Sequence, residues 1–434
     1  MFSKILIANR GEIAVRIIRA CKEMGIETVA VYSQADKEAL HVALADESYC
    51  IGGNEAADSY LMAERVVSAA VASGAKAIHP GYGFLSENAE FATLCRKQGL
   101  VFIGPRPESM QVIADKEYIK RTMAELGLPV IPGSRIVETL EAAHMCAREV
   151  GFPVMLKARS GGGGRGIRLI CAPEELAAAY SAASTEAAAA FGDAALYIEK
   201  YIAPARHIEF QILADEQGTV VCLGERDCSI QRRNQKLIEE TPSPAVTPTH
   251  RSEIMSLVTS AVQKLGYVGA GTLEFLFDGE QFYFMEMNVR LQVEHTVTEM
   301  LTGHDLVKGQ IRIAAGIPLA YAQDDIRLSG CALECRINAT APGKVTLLHV
   351  PGGPFVRFDT YLLAGTVVSP YYDSLLGKLV VYASSREEAL RKMRAALCEL
   401  VIEGVPHNIE EQIEIVSSPS FCDGTYNLAF FERA

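Results

Sequence analysis

The sequence predicts an α/β fold that gives way to α+β toward the C-terminal end. Three observations carry this expectation. The chain opens with a strand–helix–strand unit, alternates strand and helix patterns to about Pro105, and then turns to hairpin-forming runs. Ile5 to Ala8 reads as a strand and Thr28 to Tyr32 as another. Between them Ile13, Ile17, Cys21 and Met24 form one helical stripe, which makes a βαβ start. Ala75 to Ile78 is a further short strand. It leads into His79-Pro-Gly-Tyr82-Gly-Phe-Leu-Ser-Glu87-Asn88, a loop at a strand's carboxyl end, where functional residues concentrate. Asp115 is the expected N-cap of a helix from Lys116 to about Leu126. An alanine-rich helix is expected around 176–190, an antiparallel region from His207 to Leu223, a strand from Lys378 to Ala383 and a helix from Arg386 to Glu403.

With 434 residues, two or three domains are expected. A hydrophobic share of 49% excludes a disordered chain. A net charge of −12 argues against non-specific nucleic-acid binding. The 11 cysteines are scattered and odd in number, with no Cys-x-x-Cys. Only Cys331 and Cys335 have helix spacing, and their segment reads as a strand. Reduced thiols in the cytoplasm are the simplest account. Arg10 and Glu12 interrupt the first apolar run, so no signal peptide is expected, and no uncharged apolar stretch reaches membrane-spanning length.

Residues 286–294, Glu-Met-Asn-Val-Arg-Leu-Gln-Val-Glu, alternate strictly between polar and apolar. A period of two marks an extended segment with two distinct faces. Such alternation is common on exposed strands, but here the polar face offers Glu286, Asn288, Arg290, Gln292 and Glu294. Hard oxygens suit Mg²⁺, and a fixed Arg suits a small oxyanion. Leu273 to Phe277 is a strand before it, and Asp278-Gly279-Glu280-Gln281 is a turn signal. If the loop holds only Gly279 to Gln281, Asp278 faces Phe282 and Glu274 falls opposite Glu286. Two facing carboxylates repel, unless a cation lies between them. A two- or four-residue loop is expected to break this register.

Pro153 to Ala158 and Ile167 to Ile170 read as strands flanking Arg159-Ser160-Gly161-Gly-Gly-Gly164-Arg165-Gly166. Consecutive glycines let a backbone approach and cradle phosphates. No Gly-Lys-Ser/Thr follows and no helix opens, so this is a hairpin tip or lid and not a Walker A loop. Lys157 lies in the apolar strand beside it, where an unpaired ammonium is costly and a nucleotide phosphate is a suitable partner. Arg232-Arg233, between apolar stretches, is either a solvated face or an anion contact.

Together these motifs resemble biotin carboxylase, a member of the ATP-grasp superfamily. The likeness rests on Ile7-Ala-Asn-Arg-Gly-Glu-Ile13, the His79–Asn88 loop, Gly161–Gly166, Glu286-Met-Asn288, Gln292-Val-Glu-His295, Glu334-Cys-Arg-Ile-Asn338 and Pro370-Tyr-Tyr-Asp-Ser374. The resemblance implies a Rossmann-like N-terminal domain over 1–113 and an ATP-grasp domain over 114–317, with a glycine-rich lid at about 130–202. A C-terminal α+β domain over 318–434 would follow. It implies ATP- and bicarbonate-dependent carboxylation of biotin through carboxyphosphate, with Mg²⁺ or Mn²⁺. Lys116, Lys157 and the loop at Gly163 and Gly164 would hold ATP phosphates. Glu199, Lys200, Tyr201 and Ile202 would form the adenine hinge, with His207, Gln231, Asn234 and Leu276 also at the nucleotide. Glu274, Glu286 and Asn288 would ligate metal. Lys236, Arg290, Gln292 and the Val293 backbone would hold bicarbonate, and Glu294 would deprotonate it. Arg336 would stabilise the enolate-like form of biotin beside Tyr82. Arg19, Glu23 and Arg357 match the family's homodimer surface.

Four departures from the family pattern stand out. Asn234 replaces a His, Arg159-Ser160 replaces a small residue followed by Gly or an aromatic, the stretch between Asn338 and Pro342 is short, and Pro354 replaces a dimer-contact aromatic. The chain has no Ala-Met-Lys-Met or similar biotinyl-lysine site. It is therefore expected to serve a separate biotin carboxyl carrier protein and a carboxyltransferase subunit, first of all in acetyl-CoA carboxylase and fatty acid biosynthesis. Another acyl-CoA, pyruvate or urea is the alternative acceptor. An ATP-grasp carboxylate–amine ligase would not need Arg290-Leu-Gln-Val-Glu294 with Arg336, and a non-catalytic scaffold homologue is supported only by the departures.

Overall fold

The computed structural model describes residues 1–159 and 167–432. The tip of the glycine hairpin, including Ser160, Gly163 and Gly164, lies outside them.

The N-terminal region is a parallel five-stranded sheet. Its strands are β1 (Lys4–Ile7), β2 (Glu27–Ser33), β3 (Glu47–Gly52), β4 (Ala77–His79) and β5 (Val101–Phe102), in the order β3-β2-β1-β4-β5. Helix Gly11–Glu23 crosses between β1 and β2 and buries Ile13, Ile17 and Cys21, as the stripe predicts. Each of the two isoleucines contributes about 1.5–3 kcal/mol by leaving water. Met24 is the C-cap and only half-buried. The helix Lys116–Glu125 starts where expected, with Asp115 accepting from the amides of Glu117 and Tyr118 at 3.1 and 3.0 Å.

A four-stranded sheet follows, of β6 (Gly133–Val137), β7 (Val154–Ala158), β8 (Ile167–Ile170) and β9 (Leu196–Lys200), in the order β6-β9-β7-β8. β7 and β8 pair antiparallel, Lys157 facing Ile167, so the glycine segment does connect a hairpin.

The remainder is built on one eight-stranded sheet. Its first strands are β10 (Arg206–Ala214), β11 (Val220–Arg232), β12 (Gln235–Thr241), β13 (Gly269–Phe277), β14 (Phe282–Asn288) and β15 (Cys331–Asn338). Two small pairs lie beside the sheet, β16 (Gly343–Lys344) with β19 (Val367–Val368) and β17 (Leu347–His349) with β21 (Val401–Glu403). β18 (Val356–Thr360) and β20 (Leu375–Ala383) complete it, in the order β14-β13-β10-β11-β12-β15-β20-β18. The sheet continues across residue 317, because β12 pairs with β15, Ile238 facing Cys335 and Glu240 facing Leu333.

Three sequence expectations need correction. The helix from Arg386 ends at Glu399, and 401–403 is a strand instead of its last turn. Residues 286–294 are not one strand. Pairing stops at Asn288, and Glu294 sits immediately before helix His295–Thr302. The β13–β14 loop has four residues, because Phe277, not Asp278, faces Phe282. The Asp278 carboxylate accepts from the amides of Glu280 and Gln281 at 2.9 and 2.8 Å, which draws Asp278 into the turn. A bulge at Met285 then absorbs the extra residue, so that Glu274 faces Glu286 after all.

Candidate active site

A cavity of about 900 Å³ opens where the three regions meet. Its floor is the polar face of the eight-stranded sheet. Lys116, Lys157, His207, Gln231, Asn234, Lys236, Glu274, Glu286, Asn288, Arg290, Gln292, Val293, Glu294, Arg336 and Tyr82 all line it. These residues come from scattered motifs and share one space, whereas Glu199, Lys200, Ile202 and Leu276 do not line it.

Lys236 stands at the centre. Its ammonium donates to Glu209 at 2.7 Å, to Glu294 at 2.6 Å and to Glu274 at 3.4 Å. Arg336 donates to Glu294 at 2.9 Å and to Glu239 at 2.6 Å. Arg226, fully buried, donates to Glu209 at 2.5 Å and Gln211 at 2.8 Å. Burial alone would raise these carboxyls. At Glu294 it is outweighed by Lys236, Arg336 and Arg226, and at Glu274 by Lys236 and His207, so both are held well below the usual carboxylate range. At Glu239 burial wins against Arg336 and lifts the group to about 7. So many carboxyls in one dry space do not all ionise together.

Glu274 accepts from Asn288 at 2.7 Å and from Gln292 at 2.9 Å, and His207 Nε2 lies 2.8 Å from its second oxygen. Glu286 faces it, with Lys116 3.6 Å away. A carboxylate held ionised and a second carboxylate opposite it fit a hard divalent cation such as Mg²⁺ or Mn²⁺, with Asn288, whose NH2 bonds Glu274, beside them. The cluster of Glu209, Cys228 and Glu294, whose ligand atoms lie within 4.8 Å of one another, is different. There the Lys236 ammonium already bonds to both carboxylates.

Arg290 is fixed on three sides, donating to Glu87 at 3.0 Å, Gln292 at 2.8 Å and Asn288 at 3.3 Å. Glu87 also accepts from the Val289 amide at 3.2 Å, which gives the His79–Asn88 loop its purpose. Asn9 holds the same loop by donating to the carbonyls of Pro80 and Tyr82, both at 2.7 Å. Tyr82 donates through its hydroxyl to Glu12.

The expected adenine hinge is more committed than its sequence suggests. Glu199 is fully buried and accepts from Lys157 at 2.6 Å, with Lys120 on its other oxygen. Lys200 donates to the carbonyls of Gly151 and Phe152 at 2.8 and 3.2 Å. Neither side chain is directed to a base, which leaves the backbone and half-buried Ile202. Leu276 lies two residues from Glu274 on β13 and faces His207 across to β10.

Two departures acquire a physical reason. Arg233 and Asn234 join β11 to β12 with φ of 52° and 62°, a tight turn with both residues left-handed. Asn tolerates that region well, and it still lines the cavity. Arg232 pairs with Glu411 and lies 4.4 Å from the Phe431 ring, so it serves as a structural contact. The short stretch after Asn338 is pinned, Ala339 donating to Ser374 at 2.8 Å and Thr340 to Pro406 at 2.9 Å. The Arg336 carbonyl accepts from Asn408 at 3.1 Å and Gln412 at 2.8 Å, so the shortening leaves Arg336 held. Arg159 pairs with Asp193 at 2.9 Å. Phe355, beside Pro354, is 60% exposed at φ 60°, and nothing in the structure explains the proline. Arg357 pairs within the chain, with Glu299 and Asp359.

Sequence reasoning missed Glu209, Glu239, Arg226, Glu12 and Lys378. The available signal was charge inside apolar strands. In Arg206-His-Ile-Glu-Phe-Gln211, His207, Glu209 and Gln211 alternate with Ile208 and Phe210, and all five are buried.

Residues 1–110 match the family described as biotin carboxylase, N-terminal domain, and residues 334–433 the biotin carboxylase C-terminal domain. Residues 115–322 match the carbamoyl-phosphate synthase L chain ATP binding domain. A biotin carboxylase of Nostoc sp. is 52% identical over 442 residues, spanning 100% of this chain and 99% of its own. The biotin carboxylase–β-γ-ATP complex of Campylobacter jejuni superposes with a TM-score of 0.97 at 45% identity, over 100% of this chain and 99% of that one. The biotin carboxylase domain dimer of Hydrogenobacter thermophilus 2-oxoglutarate carboxylase was solved with MgADP, ADP and bicarbonate. It gives a TM-score of 0.95 at 49% identity, over 100% of this chain and 98% of that one.

Proposed function

The chain belongs to the biotin carboxylase family, and from that premise we propose which of its residues perform each part of the reaction and in what assembly it works. It is an ATP-dependent enzyme that carboxylates biotin using bicarbonate. The observation that carries the assignment of roles is the junction at Lys236, which ties the base Glu294 to the metal carboxylate Glu274 within one buried network.

Lys116 and Lys157 bind the ATP phosphates, and His207, Gln231, Asn234, Leu276 and the backbone around Ile202 hold the nucleoside. Glu274, Glu286 and Asn288 hold the metal ion, which when bound offsets charge on the phosphates. Arg290, Gln292, Lys236 and the Val293 backbone seat bicarbonate against Glu294. In the resting site Glu294 is held ionised and is a weak base. An anion seated beside it offsets Lys236 and raises its proton affinity, because like charge disfavours the ionised form. Glu294 then takes the bicarbonate proton as the oxygen attacks the γ-phosphate, giving ADP and carboxyphosphate. Arg336, whose charge persists at any working pH, stabilises the biotin oxyanion beside Tyr82 as the biotin nitrogen gives its proton to the departing phosphate and takes up the carboxyl group that carboxyphosphate releases.

The domain limits 1–113, 114–317 and 318–434, with the lid at about 130–202, describe the parts that assemble this site. Biotin is presented by a separate biotin carboxyl carrier protein and passed to a carboxyltransferase subunit. The chain works as a cytoplasmic homodimer in an acetyl-CoA carboxylase of fatty acid biosynthesis. No helix among the described residues is long and apolar enough to cross a membrane. The likeness to the 2-oxoglutarate carboxylase domain favours a second reading, with a 2-oxo acid as final acceptor. Pull-down of the partner carboxyltransferase separates the two.

The purified protein is expected to hydrolyse ATP only with bicarbonate and Mg²⁺, with turnover raised by free biotin. Robust ATP hydrolysis indifferent to bicarbonate would contradict this function. Arg336→Met is expected to reduce carboxybiotin formation more than phosphate release, by about 2–4 kcal/mol in activation free energy, as for a lost oxyanion donor. Equal losses in the two assays would place Arg336 in the first step instead.

A further inference from the structure

Arg336 has a neighbour that no motif drew attention to. On the adjacent strand β20, Lys378 lies directly opposite it, so the two cations share one face of the sheet. Lys378 is fully buried. Its ammonium donates to the carbonyl of Val293 at 2.8 Å and lies 3.1 Å from the Glu12 carboxylate. The Tyr82 ring centroid is 5.9 Å away, and the Tyr82 hydroxyl donates to the same Glu12. Asp359 faces Lys378 from β18.

This is an expensive arrangement for mere packing. A buried ammonium loses its hydration, and an apolar side chain of the same volume would fill the space without that cost. What the ammonium supplies is a fixed donor. Arg336 grips the Glu294 carboxylate at 2.9 Å, while Lys378 grips the peptide oxygen of the preceding residue. Holding that oxygen fixes the plane of the Val293–Glu294 peptide, and with it the direction in which the Glu294 side chain leaves the chain. The segment needs such an anchor. Sheet pairing stops at Asn288 and helix His295–Thr302 begins only after Glu294, so 289–294 has no ladder of its own.

We propose that Lys378 is a positioning residue for the bicarbonate segment, acting through the Val293 carbonyl and itself oriented by Glu12. Residues from all three regions of the chain meet at this ammonium. The inference rests on the reading of residues 290–294 as the bicarbonate site. Small misplacements of a reacting group cost about 10²-fold in rate, so the effect falls on bicarbonate use and spares nucleotide binding.

The test uses the full chain and bicarbonate-dependent ATP hydrolysis, with thermal melting as the control for folding. For Lys378→Met, kcat/KM for bicarbonate is expected to fall by about 10- to 100-fold, with the KM for ATP unchanged. Lys378→Arg, which keeps a cationic donor near the carbonyl, recovers a large part of the loss. If Lys378→Met does not fold, Lys378→Leu takes its place, since it too removes the donor with an apolar side chain, and the same split is expected. Unchanged kcat/KM for bicarbonate, or parallel loss toward bicarbonate and ATP in a folded variant, overturns the inference. A wild-type enzyme whose ATP hydrolysis ignores bicarbonate would instead overturn the underlying reading of the site.

Discussion

Glu294→Gln is expected to abolish both bicarbonate-dependent ATP cleavage and carboxybiotin formation, with losses of about 10²–10⁴-fold. The amide preserves size, but its single carbonyl oxygen can accept from only one of Lys236 and Arg336, which reach different oxygens of Glu294 at 2.6 and 2.9 Å. It cannot take a proton from bicarbonate. It also removes the negative charge that those two cations share, although Glu209 and Glu239 remain as their partners. The fold should therefore survive, and ATP should still bind. Product assays for phosphate and carboxybiotin, with nucleotide affinity measured alongside, test this. Bicarbonate-dependent turnover close to that of the wild type would exclude Glu294 as the base.

The second large effect belongs to Glu274. Glu274→Gln keeps the shape but removes the charge around which Lys236, His207, Asn288 and Gln292 are arranged. Breaking a buried charge pair costs about 3–5 kcal/mol. The cost here lies toward the lower end, because Lys236 keeps Glu209 and Glu294. Catalysis should fall at least ~100-fold, with a higher Mg²⁺ requirement. Glu286→Gln should act in the same direction, since Glu286 faces Glu274 across the bulge at Met285. Titration of activity with Mg²⁺ reads both variants. Wild-type rates in both would show that the two carboxylates share no metal, and would remove any functional reason for the bulge.

What the sequence made legible was local chemistry with its own period or punctuation. The stripe at Ile13, Ile17 and Cys21 and the Asp115 cap have causes within a few neighbouring residues, whereas the alternation from Glu286 runs on past a strand that pairs only to Asn288. The site's interior was not legible in that way. Glu209, Arg226, Glu239 and Lys378 act through partners tens of residues away, and charge within an apolar strand does not say which charge it meets. The hairpin shows the limit most plainly. A three-residue loop predicts the facing of Glu274 and Glu286, whereas the chain reaches it with four residues and a bulge. Asp278 could equally have ended a strand or closed the turn, and only its two amide contacts decide.

The pairing of β12 with β15 bears on how this enzyme can be taken apart. A cut near residue 317 falls in a connecting segment, yet it would leave both halves with a raw strand edge, Gln235–Thr241 on one and Cys331–Asn338 on the other. Such edges template intermolecular pairing. Lys236 and Arg336 sit on these two strands, so the same cut would split the two cations that bond Glu294 between fragments. Anyone transplanting the C-terminal region between relatives must treat the sheet as the indivisible part and place the seam elsewhere.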